Sequence, residues 1–384
     1  MKIKLMNKIA KVGTDVFGAG YTVSDAVEAP DAIMVRSAKL HEMPINPELL
    51  AIARCGAGVN NIPVDKCAEA GVVVFNTPGA NANAVKELAI CALLLASRDI
   101  VGGIAWANSI EDKENIAKEV ESGKGQFAGN ELVGKTIGII GLGAIGGMVA
   151  NAAKALGMEV VGYDPFLSVV GAHHLSREVK LASSYDDVFK TCDFISLHVP
   201  ATKDTKGFIN KDAFAQMKDG VKIINLARAE LVNPDDMKAA IDSGKVAKYV
   251  VDFPSTELIG YNNIISIPHL GASTAESEDN CAVMAAHELV DFLENGNIVN
   301  SVNFPTVSVP HSGGTRICIA HKNVPAMLAQ ITAVLGEENI NIENMGNGSK
   351  GDYAYTIVDT SSEIDATVTD KFNAIADVIR VRII

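Results

Sequence analysis

The sequence has no closely spaced cysteines, few aromatic residues and no excess of positive charge. Its cysteines are scattered, and none forms the C-x-x-C pair of a zinc or redox motif, so the sequence predicts no metal site. They are Cys55, Cys67, Cys91, Cys192, Cys281 and Cys318. Isolated cysteines of this kind are typical of core residues in a reducing compartment.

A long hydrophobic run is also missing. The longest apolar stretch, Leu88–Ala96, is far too short to span a bilayer. The first residues, Met1–Val12, lack the uninterrupted apolar core of a signal peptide. We therefore expect a cytoplasmic protein with no membrane partner.

The charge balance argues against another class of partner. Lys and Arg number 33 and Asp and Glu number 46, which gives a formal net charge of −13. Because an acidic surface repels the phosphates of nucleic acids, we expect a small-molecule substrate and no nucleic acid. A local basic pocket for a small anion is compatible with this balance.

Glycine is abundant, with 33 residues, and apolar segments recur regularly. The 384 residues suggest two or three domains. Short apolar strands alternate with helices, which predicts an α/β fold with parallel sheets. The strand candidates are Ala32–Val35, Leu50–Ala53, Val72–Phe75, Thr136–Ile140, Glu159–Tyr163, Phe194–His198, Lys222–Leu226, Ala247–Val251 and Ile264–Ile267.

The last part of the chain is predicted to form a separate small unit. Pro305, Pro310 and a Gly313-Gly314 pair predict a linker over 305–314. Residues 315–384 then show the element order β-α-β-β-α-β, which is ferredoxin-like.

The segment Gly141-Leu142-Gly143-Ala144-Ile145-Gly146 has the pattern G-x-G-x-x-G. It follows the strand candidate Thr136–Ile140 and opens an alanine-rich helix, which is the context that dinucleotide binding requires. Gly141 allows the tight turn, Gly143 lets the backbone approach the pyrophosphate, and Gly146 lets helix and strand pack closely.

Asp164 ends the strand after the glycine segment. Its carboxylate can accept hydrogen bonds from both ribose hydroxyls and would repel a 2′-phosphate, so the cofactor is predicted to be NAD rather than NADP. The alternative is that Asp164 is a turn or helix-capping residue before Pro165.

Polar side chains follow three successive strands of the predicted sheet: Arg228, Glu257 and His269. Open α/β sheets bind ligands at the carboxyl ends of their strands. A histidine there can take a hydroxyl proton as hydride leaves for NAD, and a carboxylate can orient the histidine. An arginine can hold a substrate carboxylate. Each residue alone has an ordinary structural explanation, but the combination predicts oxidation of a 2-hydroxy acid.

At this point the chain resembles the D-2-hydroxyacid dehydrogenase family, and within it the branch that oxidises phosphoglycerate and carries an ACT domain. The motifs that match are Val35-Arg36-Ser37, Arg54-Cys55-Gly56-Ala57-Gly58-Val59-Asn60-Asn61, Phe75-Asn76-Thr77-Pro78, the glycine segment with Tyr163-Asp164, Asn225-Leu226-Ala227-Arg228 and Pro268-His269-Leu270-Gly271-Ala272-Ser273-Thr274. They cover nearly all of the chain before the predicted linker.

The resemblance implies a discontinuous, flavodoxin-like substrate domain (1–96 and 274–304), a Rossmann-type NAD domain (97–273) and an ACT domain (315–384). It also implies that Arg228, Glu257 and His269 form the catalytic triad. The sequence departs from the family at Leu258, where a proline usually follows the glutamate, and in the segment Trp106–Gly129, which has no assigned role.

The resemblance carries over further contacts. The cofactor is expected to touch Gly141, Gly143, Ala144, Ile145, Gly146, Asp164, Val199, Pro200, Leu226, Ala227, Asp252, Gly271 and Ala272. The substrate is expected to touch Arg36, Ser37, Arg54, Cys55, Gly56, Ala57 and Gly58.

Arg36 and Arg54 fall at strand ends of the first domain, and two extra arginines suit a substrate phosphate. 3-Phosphoglycerate is therefore the predicted substrate. The alternatives are salt-bridging arginines with a phosphate-free substrate such as glycerate, lactate or 2-hydroxyglutarate, or an NAD-sensing regulator without catalysis.

The resemblance also implies that the ACT domain binds L-serine as an effector, through His321 and Asn323 in the loop after its first strand and through Asn341 after its first helix. Amide and imidazole groups can hydrogen-bond an amino acid. The loop after the first strand of this domain has Pro325-Ala326, where the family's motif usually has Pro-Gly. The prediction is a homo-oligomer, dimer or tetramer, through isologous ACT pairing, and the alternative is pairing without an effector.

Overall fold

The computed structural model describes residues 1–311 and 313–384. They form two compact units, one of residues 1–81 with 275–384 and one of residues 82–274. No single helix in these residues has the length and hydropathy of a membrane span. One bent pair of helices, Ala82–Ser97 with Ile100–Asn108, has the required length and hydropathy only when the two helices are counted as one segment.

The first 81 residues form a five-stranded parallel sheet with strand order β2-β1-β3-β4-β5. The order is that of flavodoxin-like folds, as predicted. Its elements are β1 (Lys2–Leu5), α1 (Lys11–Thr14), β2 (Thr22–Ser24), β3 (Ala32–Val35), β4 (Ala51–Arg54), α2 (Val64–Glu69) and β5 (Val73–Asn76). Strands β3 to β5 are almost wholly buried because helices or chain cover both faces of a parallel sheet.

The second unit holds a seven-stranded parallel sheet with strand order β12-β11-β10-β9-β6-β7-β8. The strand order reverses between β6 and β9, the switch point at which Rossmann-type folds bind dinucleotides. Its elements are α3 (Ala82–Ser97), α4 (Ile100–Asn108), α5 (Ile116–Gly123), β6 (Thr136–Ile140), α6 (Ala144–Ala155), β7 (Glu159–Tyr163), α7 (Val169–His174), β8 (Lys180–Leu181), α8 (Tyr185–Thr191), β9 (Phe194–Leu197), α9 (Lys211–Gln216), β10 (Val221–Asn225), α10 (Pro234–Asp242), β11 (Val246–Val251) and β12 (Ile264–Ser266).

The chain then returns to the first unit and ends in a four-stranded antiparallel sheet. The strand order β14-β15-β13-β16 and the element order confirm the predicted β-α-β-β-α-β arrangement. These elements are α11 (Ala275–Asn295), β13 (Thr315–Lys322), α12 (Met327–Glu337), β14 (Ile342–Lys350), β15 (Tyr353–Thr360), α13 (Ala366–Asn373) and β16 (Val378–Ile383).

Residues 315–384, called the tail from here on, pack against the first sheet. The sequence had instead predicted a separate unit joined by a linker. Cys318 and Tyr355 belong to the same apolar core as Phe75 and Phe292. The buried Arg316 donates one hydrogen bond to the carbonyl of Asn295, at the end of α11 (2.7 Å). Burial of this shared apolar face explains why residues 275–384 group with residues 1–81.

The part of the predicted linker before residue 312 is correspondingly packed, over residues 305–311. Val307 exchanges two backbone hydrogen bonds with Ile298 (2.8 and 3.0 Å), and Val307 and Val309 are both buried. A Cβ on Gly346 of β14 would lie 2.5 Å from Val309 Cγ2, so the segment packs directly on that strand. Prolines and glycines predict a break in regular structure, but they do not determine whether the segment is packed.

The boundary of the second unit also differs from the predicted boundary at residue 96. Helix α3 groups with the NAD-type sheet, packing on α6, β10 and β11. Its small buried residues, among them Ala89 and Ala92, allow that close approach. The apolar sequence of a helix predicts that the helix is buried, but it does not predict which sheet the helix packs against.

Candidate active site

The glycine segment forms a tight turn between β6 and α6. Gly141 has a φ of +91°, and a Cβ there would lie 2.5 Å from the carbonyl oxygen of His198. A Cβ on Gly146 would lie 1.8 Å from the Gly141 carbonyl oxygen, so helix and strand are in close contact. A Cβ on Gly143 would meet nothing within 4 Å, which leaves its backbone open to a ligand. The segment therefore fits a pyrophosphate at a helix N-terminus.

Asp164 stands at the end of β7, beside this turn. One carboxylate oxygen accepts a hydrogen bond from the Leu142 amide (2.9 Å), and the other accepts one from the Phe166 amide (2.8 Å). The first bond ties the carboxylate to the glycine segment, and the second is a turn bond of the kind the alternative interpretation expects. Each oxygen keeps a further lone pair for a ribose hydroxyl.

His198 is a neighbour of the glycine segment. No role was predicted for this histidine from the sequence. Burial lowers the pKa of its imidazole to about 4, and Nε2 lies 2.8 Å from the hydroxyl of Ser196. A neutral ring is therefore packed under the pyrophosphate turn. Val199, a predicted cofactor contact, borders the same turn, since a Cβ on Gly141 would lie 2.9 Å from its Cγ1.

Arg228 is held by a buried amide. Asn225, the last residue of β10, donates a hydrogen bond to the Arg228 carbonyl (2.8 Å) and one to the Tyr249 hydroxyl (3.1 Å). Its side-chain oxygen accepts bonds from the amides of Ala227 (3.2 Å) and Arg228 (3.3 Å). Asn225 thus fixes the turn that presents the guanidinium. It belongs to a motif noted in the sequence, but only the structure reveals this role.

Phe253 brings the predicted arginine and histidine together. The Arg228 guanidinium lies over its ring at 5.4 Å, and the His269 ring centroid is 4.2 Å from the Phe253 centroid. Both functional side chains thus contact one aromatic ring. The histidine, this ring and Asp252 line a cavity of about 580 Å³. The other lining residues are Ala229, Glu230, Pro254, Ser255 and Pro268.

His269 has an uncommon backbone conformation. Its φ is +26°, in a region that residues with a Cβ rarely adopt. Two hydrogen bonds hold the amide there, to the carbonyls of Asp252 (3.0 Å) and Ile267 (3.1 Å). Backbone strain of this kind clusters at functional sites.

Asp252 is buried at the end of β11 and contributes a polar atom with no partner. Burial raises the pKa of its carboxyl to about 6, although the nearby Arg228 charge acts to lower it. Its Oδ1 has no hydrogen-bond partner among the described residues. An acceptor of this kind fits an N–H donor of the cofactor, which Asp252 is predicted to contact. Gly271 lies beside it, since a Cβ there would be 3.5 Å from Oδ2.

Glu257 is exposed in the loop after β11. The pKa of its carboxyl lies below the usual range, first because of the Ser255 side chain and to a smaller extent because of Lys238. The role predicted for Glu257, orienting His269, stays a prediction.

The first unit presents its two arginines differently. Arg36 Nη2 lies 2.6 Å from Glu278 Oε1 on α11, an ion pair exposed to solvent. Arg54 donates through Nε to the Arg36 carbonyl (3.1 Å). A Cβ on Gly56 would lie 1.5 Å from Arg54 Nη1, so the guanidinium occupies the space that glycine leaves. The ion pair is the alternative noted for Arg36, and a phosphate would have to compete with it.

The predicted effector residues belong to the tail. His321 is within β13 rather than in the loop after it. It is buried, and its ring nitrogens lie 2.8 Å from the Lys322 carbonyl and 2.9 Å from the Thr356 hydroxyl. Asn323 and Asn341 are exposed. Ala326, where the family motif has glycine, has a φ of +65°.

The glycine turn, Asp164 and the strand-end residues define a Rossmann-type NAD-binding protein. Comparisons with known proteins agree. A sequence model described as "D-isomer specific 2-hydroxyacid dehydrogenase, NAD binding domain" matches residues 100–271. Among solved structures, an NAD⁺-bound 3-phosphoglycerate dehydrogenase of Entamoeba histolytica is 27% identical, with a TM-score of 0.60, and covers 79% of this chain and 98% of its own. A glyoxylate reductase of Paecilomyes thermophila is 25% identical, with a TM-score of 0.65 and the same coverages.

Curated relatives extend the similarity over more of the chain. D-3-phosphoglycerate dehydrogenase of Haemophilus influenzae is 32% identical over 353 residues, 88% of this chain and 82% of that protein. The Archaeoglobus fulgidus enzyme of the same name is 36% identical over 284 residues, 72% of this chain. This match spans only half of the Archaeoglobus protein. The chain belongs to the D-isomer-specific 2-hydroxyacid dehydrogenase family.

Proposed function

We propose that the protein oxidises D-3-phosphoglycerate to 3-phosphohydroxypyruvate with NAD, the first step of phosphorylated L-serine biosynthesis. The observation that carries this proposal is that Arg228 and His269 both contact the Phe253 ring. Near them, Oδ1 of Asp252 has no hydrogen-bond partner among the described residues. The relatives named D-3-phosphoglycerate dehydrogenase support the choice of substrate.

The chemistry assigns one task to each side chain. NAD, when bound, accepts the hydride from the substrate carbon that carries the hydroxyl. His269 takes the hydroxyl proton, so that the C–H and O–H bonds break and a C=O bond forms. Arg228 binds the substrate carboxylate through its planar fork and stabilises charge on the oxygen that becomes the carbonyl. In this proposal Arg36 and Arg54 hold the phosphate.

The direct test is a substrate panel. Purified protein is supplied with NAD and, separately, 3-phosphoglycerate, glycerate, lactate or 2-hydroxyglutarate, and the absorbance of reduced cofactor is followed. The proposal expects the highest kcat/KM with 3-phosphoglycerate. Turnover of only a phosphate-free acid would support the alternative substrates, whereas NAD binding without any turnover would support a sensing role.

We propose further that the tail mediates isologous pairing of copies into a dimer or tetramer, and that it binds L-serine as an inhibitor. Strand β14 supports the pairing, because among the described residues it pairs only with β15 and leaves one strand edge for another chain. Exposed amides at Asn323 and Asn341 support an amino-acid ligand.

Calorimetric titration of L-serine, with Asn341→Ala as control, tests the effector site. Heat with the native chain and none with the variant is the expected result, together with a slower rate at saturating serine. No heat at millimolar serine and an unchanged rate would leave the tail with assembly alone. Light scattering of the same sample tests the oligomer.

A further inference from the structure

Three consecutive backbone amides converge on one side-chain oxygen in the first unit. The amides of Arg36, Ser37 and Ala38 each donate to Oδ1 of Asn7, all at 3.0 Å. A row of successive amides is a concavity that attracts an anion or a polar oxygen. Asn7 fills it with a neutral carbonyl oxygen.

The topology brings these segments together. Asn7 follows the end of β1 by two residues, and residues 36–38 directly follow β3. The two strands are parallel neighbours, with Leu5 opposite Met34, and the Met6 amide donates to the Met34 carbonyl (3.0 Å). Because carboxyl ends of parallel strands share one edge, the Asn7 side chain reaches the loop after β3.

The carbonyl groups of the same loop are held from the other side. Asn61 Nδ2 donates to the Ala38 carbonyl (2.8 Å), and Arg54 Nε donates to the Arg36 carbonyl (3.1 Å). The loop is thus fixed through its amides by Asn7 and through its carbonyls by Asn61 and Arg54. Each side chain removes conformational freedom that substrate binding would otherwise have to remove.

We infer that Asn7 is a positioning residue for substrate binding: its side-chain oxygen holds the Arg36–Ala38 loop so that Arg36 and Ser37 present their side chains to the substrate phosphate. The inference rests on the proposed function. An amide oxygen satisfies three donors without placing a negative charge beside Arg36. Asn7 itself makes no contact with the reacting atoms in this assignment, so its effect is on substrate binding and not on hydride transfer.

Steady-state kinetics of Asn7→Ala and Asn7→Asp test the assignment, with 3-phosphoglycerate varied at saturating NAD. Asn7→Ala is expected to raise KM by roughly tenfold, the factor for about 1.4 kcal/mol, with kcat changed by less than about threefold and KM for NAD unchanged. Asn7→Asp keeps an acceptor for the same three bonds, so amide exchange of residues 36–38 should stay as slow as in the wild type, whereas its negative charge beside Arg36 should raise KM for 3-phosphoglycerate. If Asn7→Ala does not fold, Asn7→Ser, with its shorter acceptor, is read in the same way.

Asn297→Ala is the matched control, since Asn297 likewise accepts a backbone bond, from Val309 (3.0 Å), within the same unit but away from the arginine loop. Its KM should stay at the wild-type value. The assignment is overturned if Asn7→Ala leaves KM unchanged, if Asn297→Ala raises KM equally, or if the amides of residues 36–38 exchange as fast in Asn7→Asp as in Asn7→Ala.

Hydrogen exchange separates this inference from the proposed function. In Asn7→Ala, exchange of the amides of residues 36–38 should become faster, whereas in Asn297→Ala it should not. A wild-type protein inactive on 3-phosphoglycerate contradicts the proposed function and, with it, the substrate role of Asn7. Unchanged exchange in an active enzyme contradicts the inference alone.

Discussion

The two parallel sheets each end in an arginine loop that asparagine side chains hold, yet they prepare the arginine in different ways. Asn225 is fully buried and fixes the Arg228 turn, and the guanidinium then lies over Phe253. In the first unit Asn7 holds the loop, and Arg36 is already paired with Glu278. The proposed catalytic arginine is thus preorganised, whereas the proposed phosphate arginine must exchange one partner for another.

Each unit also contains a buried carboxylate, and the two differ in their surroundings. Burial raises the pKa of Asp252 to about 6 and that of Glu288 to about 8. Asp252 has the Arg228 charge nearby, while Glu288 has only a hydrogen bond from Asn300 acting to lower its pKa (2.8 Å). The Asp252 carboxyl, close to Arg228, therefore ionises at a lower pH than the Glu288 carboxyl of the first unit.

The largest expected effect is on His269 in the catalytic unit. His269→Ala should lower kcat by roughly 10²–10⁴-fold, because a general base contributes about that factor. NAD affinity, measured by fluorescence quenching or calorimetry, should stay near the wild-type value. Near-normal activity of the variant at neutral pH would show that another group is the base.

The next effect should be confined to the first unit. Arg36→Ala and Arg54→Ala should each weaken binding of 3-phosphoglycerate by about 2–5 kcal/mol if the arginines are desolvated around the phosphate. Binding of glycerate should change much less, which KM values for both substrates measure. Equal losses on the two substrates would reject the phosphate role and leave Arg36 as the ion pair seen with Glu278.

Glu288, in the first unit, is expected to make the free energy of unfolding depend on pH. Its folded-state pKa is raised from 4.5, so the native state binds the extra proton and stability falls as pH rises from about 4.5 to 8. Urea unfolding across this range should show a loss on the order of 1–3 kcal/mol in the wild type. Glu288→Gln should remove the part of that loss between about pH 6 and 8 while keeping the bond from Asn300, since Asp252, with a pKa raised to about 6, contributes below that range. A stability difference independent of pH would mean that Glu288 does not titrate as proposed.

The smallest effect concerns the cofactor. Asp164→Ala should narrow the preference for NAD over NADP by about tenfold, because the carboxylate that repels a 2′-phosphate is removed. The ratio of kcat/KM for the two cofactors measures it. Since Asp164 also accepts bonds from Leu142 and Phe166, Asp164→Asn is the control for the turn. An unchanged ratio in Asp164→Ala would leave only the turn role.

The sequence was most informative where backbone geometry restricts residue choice. The glycine segment, the alternating strands and the β-α-β-β-α-β tail were predicted because turns, burial and periodicity leave direct patterns. The strand-end residues Arg228 and His269 were proposed from the rule that ligands bind at carboxyl ends, and the structure shows both beside Phe253, while their catalytic roles stay predictions.

Other features depend on contacts distant along the chain. Asn7, Asn225 and Phe253 act through packing partners up to tens of residues away, which no local pattern encodes. For the same reason the sequence suggested a tethered tail, whereas Tyr355 donates to the Gly296 carbonyl (2.8 Å) and shares a core with Phe292. Whether an apolar sheet face is covered by its own helices or by another sheet is decided only in three dimensions.

The ratio of kcat/KM for 3-phosphoglycerate to that for glycerate, measured with NAD in the wild type and in Arg36→Ala, decides whether Arg36 binds the substrate phosphate. We expect a wild-type ratio of roughly 30 or more, the factor for about 2 kcal/mol, and a ratio near one in the variant. A wild-type ratio near one, or a ratio that the variant leaves unchanged, would reject this role of Arg36.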